Sequence, residues 1–352
     1  MAESRGVEQA TGGLSNQSVS TKREPLLTFS SGGWILWVAG ALCLAVIAWR
    51  GSVIASQWNH RAKGDGRHVE TYGFDLSNLA VERTLLLATD LPRNGMPSLD
   101  HVKRLTLSEA DDLDQELRKN HRHKFVVDSD LVIGVARKDE AAAYPLRLLA
   151  WHQIVNDTVG GEPVLVTYDP LCDSAVAFDP RLSGGGAAKF GFSGLVWNGN
   201  LLFYDRAAEG AKESLWSQLQ FRCIAGPRVG QELAIAPFEV MTWGDWKRLH
   251  PQTTVMPLDK NRIRVYRQTL HHYYGTDQLQ FPVDPMPPAS DQQRLKTPML
   301  AWRDQDGGWR HRLAGATTDG RAEVGGPETS PTLRVFWFAW HAHHPDSRAA
   351  TR

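Results

Sequence analysis

The dipeptide Asn198-Gly199 sits between two apolar runs, residues 195–197 and 201–204, and is the tightest local constraint in the chain. A two-residue hairpin closed by a type I′ turn requires positive φ at both turn positions, which Asn and Gly accept at low steric cost. Turn residues recur at strand spacing on both sides of it. Residues 131–136 and 141–144 flank a charged turn at 138–140, and Gly160-Gly161 leads into an apolar run at 163–168. Residues 175–178 and 189–193 bracket Gly184-Gly185-Gly186. This pattern predicts an α+β, β-rich fold with a mostly antiparallel sheet and a few short helices, and it disfavours a parallel doubly wound sheet.

Three helices are expected, at 108–119, 146–155 and 242–249. Ser108 with Asp111, and Thr242 with Asp245, read as capping boxes. Pro145 suits the first turn of the middle helix, which Asn156 and Asp157 then stop. Residues 282–292 read as loop. Two stretches, near 131 and near 298, share an order of apolar strand, charged turn and second strand, so the β-rich domain at 71–346 admits two subdomains, 71–257 and 258–346. A tail, 347–352, follows.

Residues 34–48 carry no charge, and Trp34, Trp37 and Trp49 lie near the ends of that run as interfacial anchors do. Residues 34–55 are therefore expected to form one N-terminal transmembrane helix, although a span needs roughly 20 apolar residues and Arg50 interrupts this one. A polar tail, 1–33, precedes it, with too little apolar surface to offset ordering entropy. A charged linker, 56–70, follows. Long C-terminal domains translocate largely regardless of flanking charge, so the expected layout is a single-pass cell-membrane protein with its soluble domain on the extracytoplasmic side. Lys plus Arg and Asp plus Glu are 39 each, which leaves no basic field for nucleic acid.

The stretch 144–174 carries the candidate chemistry. His152 and Cys172 stand about twenty residues apart on either side of the Gly160-Gly161 turn, with Tyr168 and Asp169 beside the cysteine. Such a cluster suits copper or zinc, or a Cys172 thiolate activated by His152. The competing reading makes His152 a helix-end histidine and Cys172 a small buried hydrophobe. Their proximity requires the chain to fold back after Pro170. A second candidate is a polar and aromatic ligand pocket formed by Trp197, Asn198, Asn200, Trp216 and Gln218. His341 and His343 are expected on one face of a strand. The three cysteines allow at most one bridge in the soluble part, Cys172 to Cys223. No GxGxxG, P-loop, GxSxG or HExxH pattern occurs, so nucleotide, serine-hydrolase and zincin chemistries have no motif behind them.

Several blocks in fixed order carry a resemblance: NGMPSLD at 94–100, AYPLRLLAWHQIVNDTVGGEPV at 143–164, TYDPLCDSAVAFD at 167–179, FGFSGLVWNGNLLFYDR at 190–206 and FWFAWHAHHPDS at 336–347. Together they resemble a bacterial family of unknown function, DUF3179, over most of 72–345. The resemblance implies an uncharacterised membrane-anchored or exported protein and brings no catalytic residue with it. It also exposes a departure, since similar members read Tyr-Cys-Pro-Leu-Cys-Gly where this chain has Tyr168, Asp169, Pro170, Leu171, Cys172 and Asp173. The reading that follows is a binding or accessory module that reaches the membrane through one helix and has a protein partner open to it. The alternative is a metal-binding or thiol-dependent enzyme or carrier centred on His152 and Cys172.

Overall fold

The structure, a computed structural model, describes residues 35, 38–47, 63–121, 124–183, 186–207, 212–266, 270–288, 294–314 and 331–350. Contacts divide the chain into two units, 1–61 and 62–352. In the first, residues 38–47 are helical and exposed, with Leu42, Leu44 and Ile47 bare on its surface. Among the described residues no helix is long and apolar enough to cross a membrane. Ten residues rise only about 15 Å, half the hydrocarbon thickness. The remaining positions of the expected 34–55 span, and the 1–33 tail, lie outside the described residues.

In the second unit, strands β1 (Leu86–Ala88) and β2 (Leu99–Asp100) precede helix α1 (Leu107–His121). The hairpin β3 (Leu131–Arg137) and β4 (Glu140–Pro145) leads through the single turn α2 (Leu146–Leu149) into β5 (Ile154–Val159), β6 (Glu162–Asp169) and β7 (Ser174–Phe178). A meander follows: β8 (Phe190–Trp197), β9 (Asn200–Asp205), β10 (Leu215–Ser217) and β11 (Arg222–Ala225). Next come β12 (Glu239–Thr242), α3 (Trp243–Leu249), β13 (Thr254–Val255) and the short helices α4 (Ile263–Tyr266) and α5 (His271–Tyr274). The chain closes with β14 (Pro298–Arg303), β15 (Trp309–Leu313), β16 (Leu333–Phe336), α6 (Trp337–His343) and β17 (Arg348–Ala349).

These strands form three sheets, ordered β1-β8-β9-β10-β11, β12-β3-β4-β13 and β17-β15-β14-β16-β7-β6-β5-β2. Among the described residues parallel pairing occurs only at sheet edges, where β13 joins β4, β17 joins β15 and β2 joins β5. The mostly antiparallel, β-rich expectation holds. Asn198 and Gly199 both have positive φ, 49° and 76°, and close the β8–β9 hairpin as their residue types require.

Burial explains why the meander reads as a nearly unbroken apolar run rather than an alternating one. Leu201 and Phe203 of β9 enter the larger core, while Leu202 and Tyr204 enter a second core with Tyr72, Leu86 and Leu195. The sheet is covered on both faces, so neither face selects polar side chains. The two hairpins with similar sequence order are β3–β4 and β14–β15, in different sheets. Arg334 pairs in register with Ala175, which brings residues near 334 into the same sheet as β5, β6 and β7.

Local expectations fare unevenly. Thr242 caps α3 through the Asp245 amide at 3.2 Å, with the two side chains 2.7 Å apart, as the capping box predicts. The box that opens α1 is Thr106 with Glu109, two residues earlier than Ser108 with Asp111. The helix expected over 146–155 stops at Leu149, because β-branched Ile154, Val155, Thr158 and Val159 take strand conformation and pair with β6. Asn156 and Asp157, expected to stop that helix, lie inside β5 instead, and Gly160-Gly161 make the turn as expected. Residues 337–343 form a helix rather than a strand, and His343 is buried there with Nδ1 bonded to the Ala339 carbonyl.

Gly134 of β3 lies under the ring of Trp246, where an added Cβ would fall 2.3 Å from the ring. Trp246 cannot yield freely, since its indole nitrogen donates to Thr253 Oγ1 at 2.8 Å inside the core. Gly134→Ala is therefore expected to cost about 1–3 kcal/mol through overpacking, despite alanine's better strand propensity. Urea denaturation measures this, and a neutral or stabilising result would refute the packing account.

Candidate functional site

The residues of the central stretch separate into two environments. His152 lies in the turn after α2, where Nδ1 meets the Pro97 carbonyl at 2.9 Å and Nε2 meets Tyr266 Oη at 2.7 Å. Burial pushes its pKa down, which keeps the imidazole neutral between those two partners. Cys172 is buried after Pro170, and its thiol donates to the Gly199 carbonyl at 3.1 Å. Burial, then the nearby Asp169 charge, push that thiol well above the ordinary range, the reverse of an activated thiolate. The His152 and Cys172 side chains have no hydrogen-bond partner in common, and among the described residues no group of three or more His, Cys, Asp or Glu is placed to hold a metal. Cys172 and Cys223 are both free thiols.

Asp169, Asn200 and Gln218 belong to a buried polar network that joins β6 and β7 to β9 and to the turn after β10. Asp169 Oδ1 accepts from the Leu171 amide at 2.9 Å, and Oδ2 accepts from the Leu201 amide at 2.9 Å and from Asn200 Nδ2 at 3.1 Å. Burial raises the Asp169 pKa, and these backbone amides oppose the rise. Ser174 Oγ donates to Gln218 Oε1 at 2.6 Å, and Gln218 Nε2 donates to Thr167 Oγ1 at 3.0 Å and to the Ser174 carbonyl at 3.1 Å. Every member bonds another, the condition under which a buried network rigidifies a core. Tyr168 Oη donates to Asp173 Oδ1 at 2.9 Å, and Arg334 Nε donates to Asp173 Oδ2 at 2.7 Å.

The other expected pocket residues are also structural in placement. Asn198 Nδ2 donates to the carbonyls of Asp284 and Ala342, and its Oδ1 accepts from the Asp284 amide. Trp197 Nε1 donates to the Glu82 carbonyl, and its ring meets His343 edge-on at 5.2 Å. Trp216 is fully buried and packs edge-on against Phe190.

A cavity of about 560 Å³ opens beside this framework, between α2, the end of β6 and the start of the meander. Tyr168 and Asp169 reach its wall, whereas His152, Cys172, Trp197, Asn198, Asn200, Trp216 and Gln218 do not. The wall is mostly apolar, with Met96, Trp151, Phe192, Leu201, Tyr274 and Phe281 among its side chains. Phe192 and Val196 are aimed into it from a β8 bulge, where pairing with β9 slips between those two residues and Gly194 takes φ 81°. The Gly194 carbonyl accepts from the Thr89 amide and hydroxyl, both at 2.9 Å, which fixes residues 89–91 at the rim.

Gln153 is one of several polar residues on this wall, with Thr89, Asp90, Asp130, Arg147 and Gln280, that the sequence reading missed. It is 6% exposed and has φ 57°, and its Oε1 is buried with no hydrogen-bond partner. The backbone is pinned there, because Gln153 N donates to the Leu149 carbonyl at 2.6 Å and Tyr168 N donates to the Gln153 carbonyl at 2.9 Å. Left-handed backbone at a residue other than Gly, Asn or Asp costs on the order of 1 kcal/mol and is held here by surrounding contacts. The signal available in sequence was its position, beside Trp151 in the longest block of the resemblance.

The fold and cavity thus define a β-rich protein with a mainly apolar hollow between two sheets. The family described as protein of unknown function (DUF3179) matches residues 93–300, and the chain belongs to it. No curated protein and no solved structure matches the chain.

Removing one member of the network tests its structural role. Asn200→Ala deprives Asp169 Oδ2 of a donor and leaves a buried carboxylate and a buried amide acceptor less satisfied. It is expected to destabilise the fold by about 2 kcal/mol, measured by urea unfolding. A loss below about 0.5 kcal/mol would mean that the network contributes nothing to joining the sheets.

Proposed function

We propose that this chain is a membrane-tethered binding module whose ligand occupies the cavity beside α2. The observation that carries this reading is the cavity itself, since about 560 Å³ lies within the range of small-molecule sites and its wall is mostly apolar with few polar groups. No metal or thiol step is part of the proposal, because His152 and Cys172 are each committed to separate partners.

The tether in this reading is the 34–55 segment. Its support is the uncharged sequence run, together with the bare apolar side chains of residues 38–47. In this reading the domain from about residue 71 lies on the outer side, the periplasm for a bacterial cell, since long C-terminal domains translocate largely regardless of flanking charge.

Naphthalene serves as an uncharged apolar probe of the cavity. Titrated into the full chain in lipid nanodiscs, with the heats of empty nanodiscs subtracted, it is expected to bind saturably at one site. Ala150→Phe places a ring in the hollow from the α2 side and is expected to abolish that binding. Absence of saturable heat in the unaltered protein would overturn the binding reading. For the tether, the full chain is expected to stay with membranes after carbonate washing, and its release into the supernatant would remove the anchor.

A further inference from the structure

The cavity, taken as the ligand site proposed above, has one firmly held wall and one loosely held wall. On the firm side Tyr168 and Asp169 of β6, Phe192 and Val196 of β8 and Leu201 of β9 are buried in paired strands. On the other side Leu270, Tyr274, Gln280 and Phe281 come from a single stretch, 270–282, that belongs to no sheet. Its regular structure is the one turn of α5, and a lone helical turn fixes more dihedral angles than its hydrogen bonding repays. None of its described side chains is fully buried, and Val283 is the first that is. Among the described residues no backbone hydrogen bond joins the stretch to the rest of the chain, and the Tyr274 and Thr276 amides bond carbonyls within it. Little buried surface and a backbone bonded to itself mark a segment that opens at lower cost than the fold as a whole.

A small set of side-chain bonds holds the stretch down. Tyr273 Oη donates to the Leu171 carbonyl at 3.1 Å and Tyr274 Oη to the Pro170 carbonyl at 2.9 Å, and both acceptors belong to residues of the cavity wall. Lys296, only 5% exposed, donates from Nζ to the Tyr273 and Gln278 carbonyls, each at 2.6 Å, and the same atom lies 3.2 Å from the centre of the Tyr273 ring. Arg294 reaches the Gly275 carbonyl at 2.8 Å. One buried ammonium thus clamps both ends of the 273–278 bend, and hydrogen bonds from a charged donor are stronger than those from a hydroxyl. None of these ties is part of a sheet, so breaking them leaves β6, β8 and β9 paired.

We infer that residues 270–282 form a strap over the cavity, which lifts to admit the ligand and closes behind it, and that Lys296 and Tyr273 fasten it. Leu270, Tyr274 and Phe281 move with the strap and cover the ligand when it closes.

Lys296→Met and Tyr273→Phe each remove a tie and leave the cavity lining unaltered, since neither residue is part of it. Naphthalene is mixed with the full chain in nanodiscs by stopped flow and its fluorescence followed, with empty nanodiscs as the blank. A tie made in both the free and the occupied closed states favours closure equally in each. Its loss is therefore expected to raise the association and dissociation rates by the same factor and to leave Kd unchanged. That factor is roughly fivefold for Tyr273→Phe, the worth of one neutral hydrogen bond, and roughly tenfold or more for Lys296→Met, whose donor is charged. If 270–282 were a fixed wall, loosening it would act on dissociation and weaken Kd. Should Lys296→Met fail to fold, Tyr273→Phe, which deletes one hydroxyl from a half-buried side chain, decides alone. Unchanged rates, or faster dissociation with unchanged association, overturn the strap and leave the binding reading standing. Absence of saturable naphthalene binding in the unaltered protein defeats the binding reading itself.

Discussion

The hydrogen bonds around Asp169 and Gln218 are the constraint on which the rest of the fold depends. They join the eight-stranded sheet to the five-stranded sheet that contains the meander through side chains rather than backbone pairing. A carboxylate inside a core is tolerable only when its lone pairs are met, and here two backbone amides and one side-chain amide meet them. Because Asp169 caps the Leu171 turn and also reaches Leu201, the end of β6 cannot drift from the start of β9. The cavity exists in that fixed gap. Of the network's side chains Asp169 reaches its wall, which is otherwise mostly apolar.

The same network settles what Asp169 does in place of the cysteine that the family resemblance leads one to expect. A thiol accepts hydrogen bonds weakly, whereas this carboxylate takes three. The neighbouring Cys172 is thereby placed beside a negative charge, which raises its pKa further and keeps it a buried hydrophobe. In this chain Asp169 serves the architecture.

The architecture was legible where a local rule fixes the backbone. Asn198-Gly199 gave its hairpin away because two positive-φ residues in a row have few other uses, and Thr242 with Asp245 marked a helix start by chemistry confined to one turn. The α2 region misled because Leu146, Leu148 and Leu149 fit a helix while Ile154 and Val155 pair with β6, a long-range contact that overrides local propensity. The candidate site was less legible. Tyr168 and Asp169, read from the cysteine motif as metal-ligand candidates, line the cavity instead, while Asn200 and Gln218, read as pocket residues, bond to each other within the buried network. Polar residues inside an apolar run signal burial with equal force in both cases. Only coordinates distinguish an amide that bonds its neighbours, as in Gln218, from one that does not, as in Gln153.

The place of β16 in the largest sheet has a consequence for how the chain reaches its native state. Arg334 pairs with Ala175 and its side chain bonds Asp173, across 161 positions of sequence in the second case. The hairpins β5–β6–β7 and β8–β9 need only short loops, so they can assemble early, while the entropy of closing the long intervening loop defers β16. Until that strand arrives, β7 presents an unpaired edge and Asp173 lacks its guanidinium. A chain still emerging during synthesis carries that open edge until residues beyond 336 are made, which makes β7 the natural place for a chaperone to guard against misassociation.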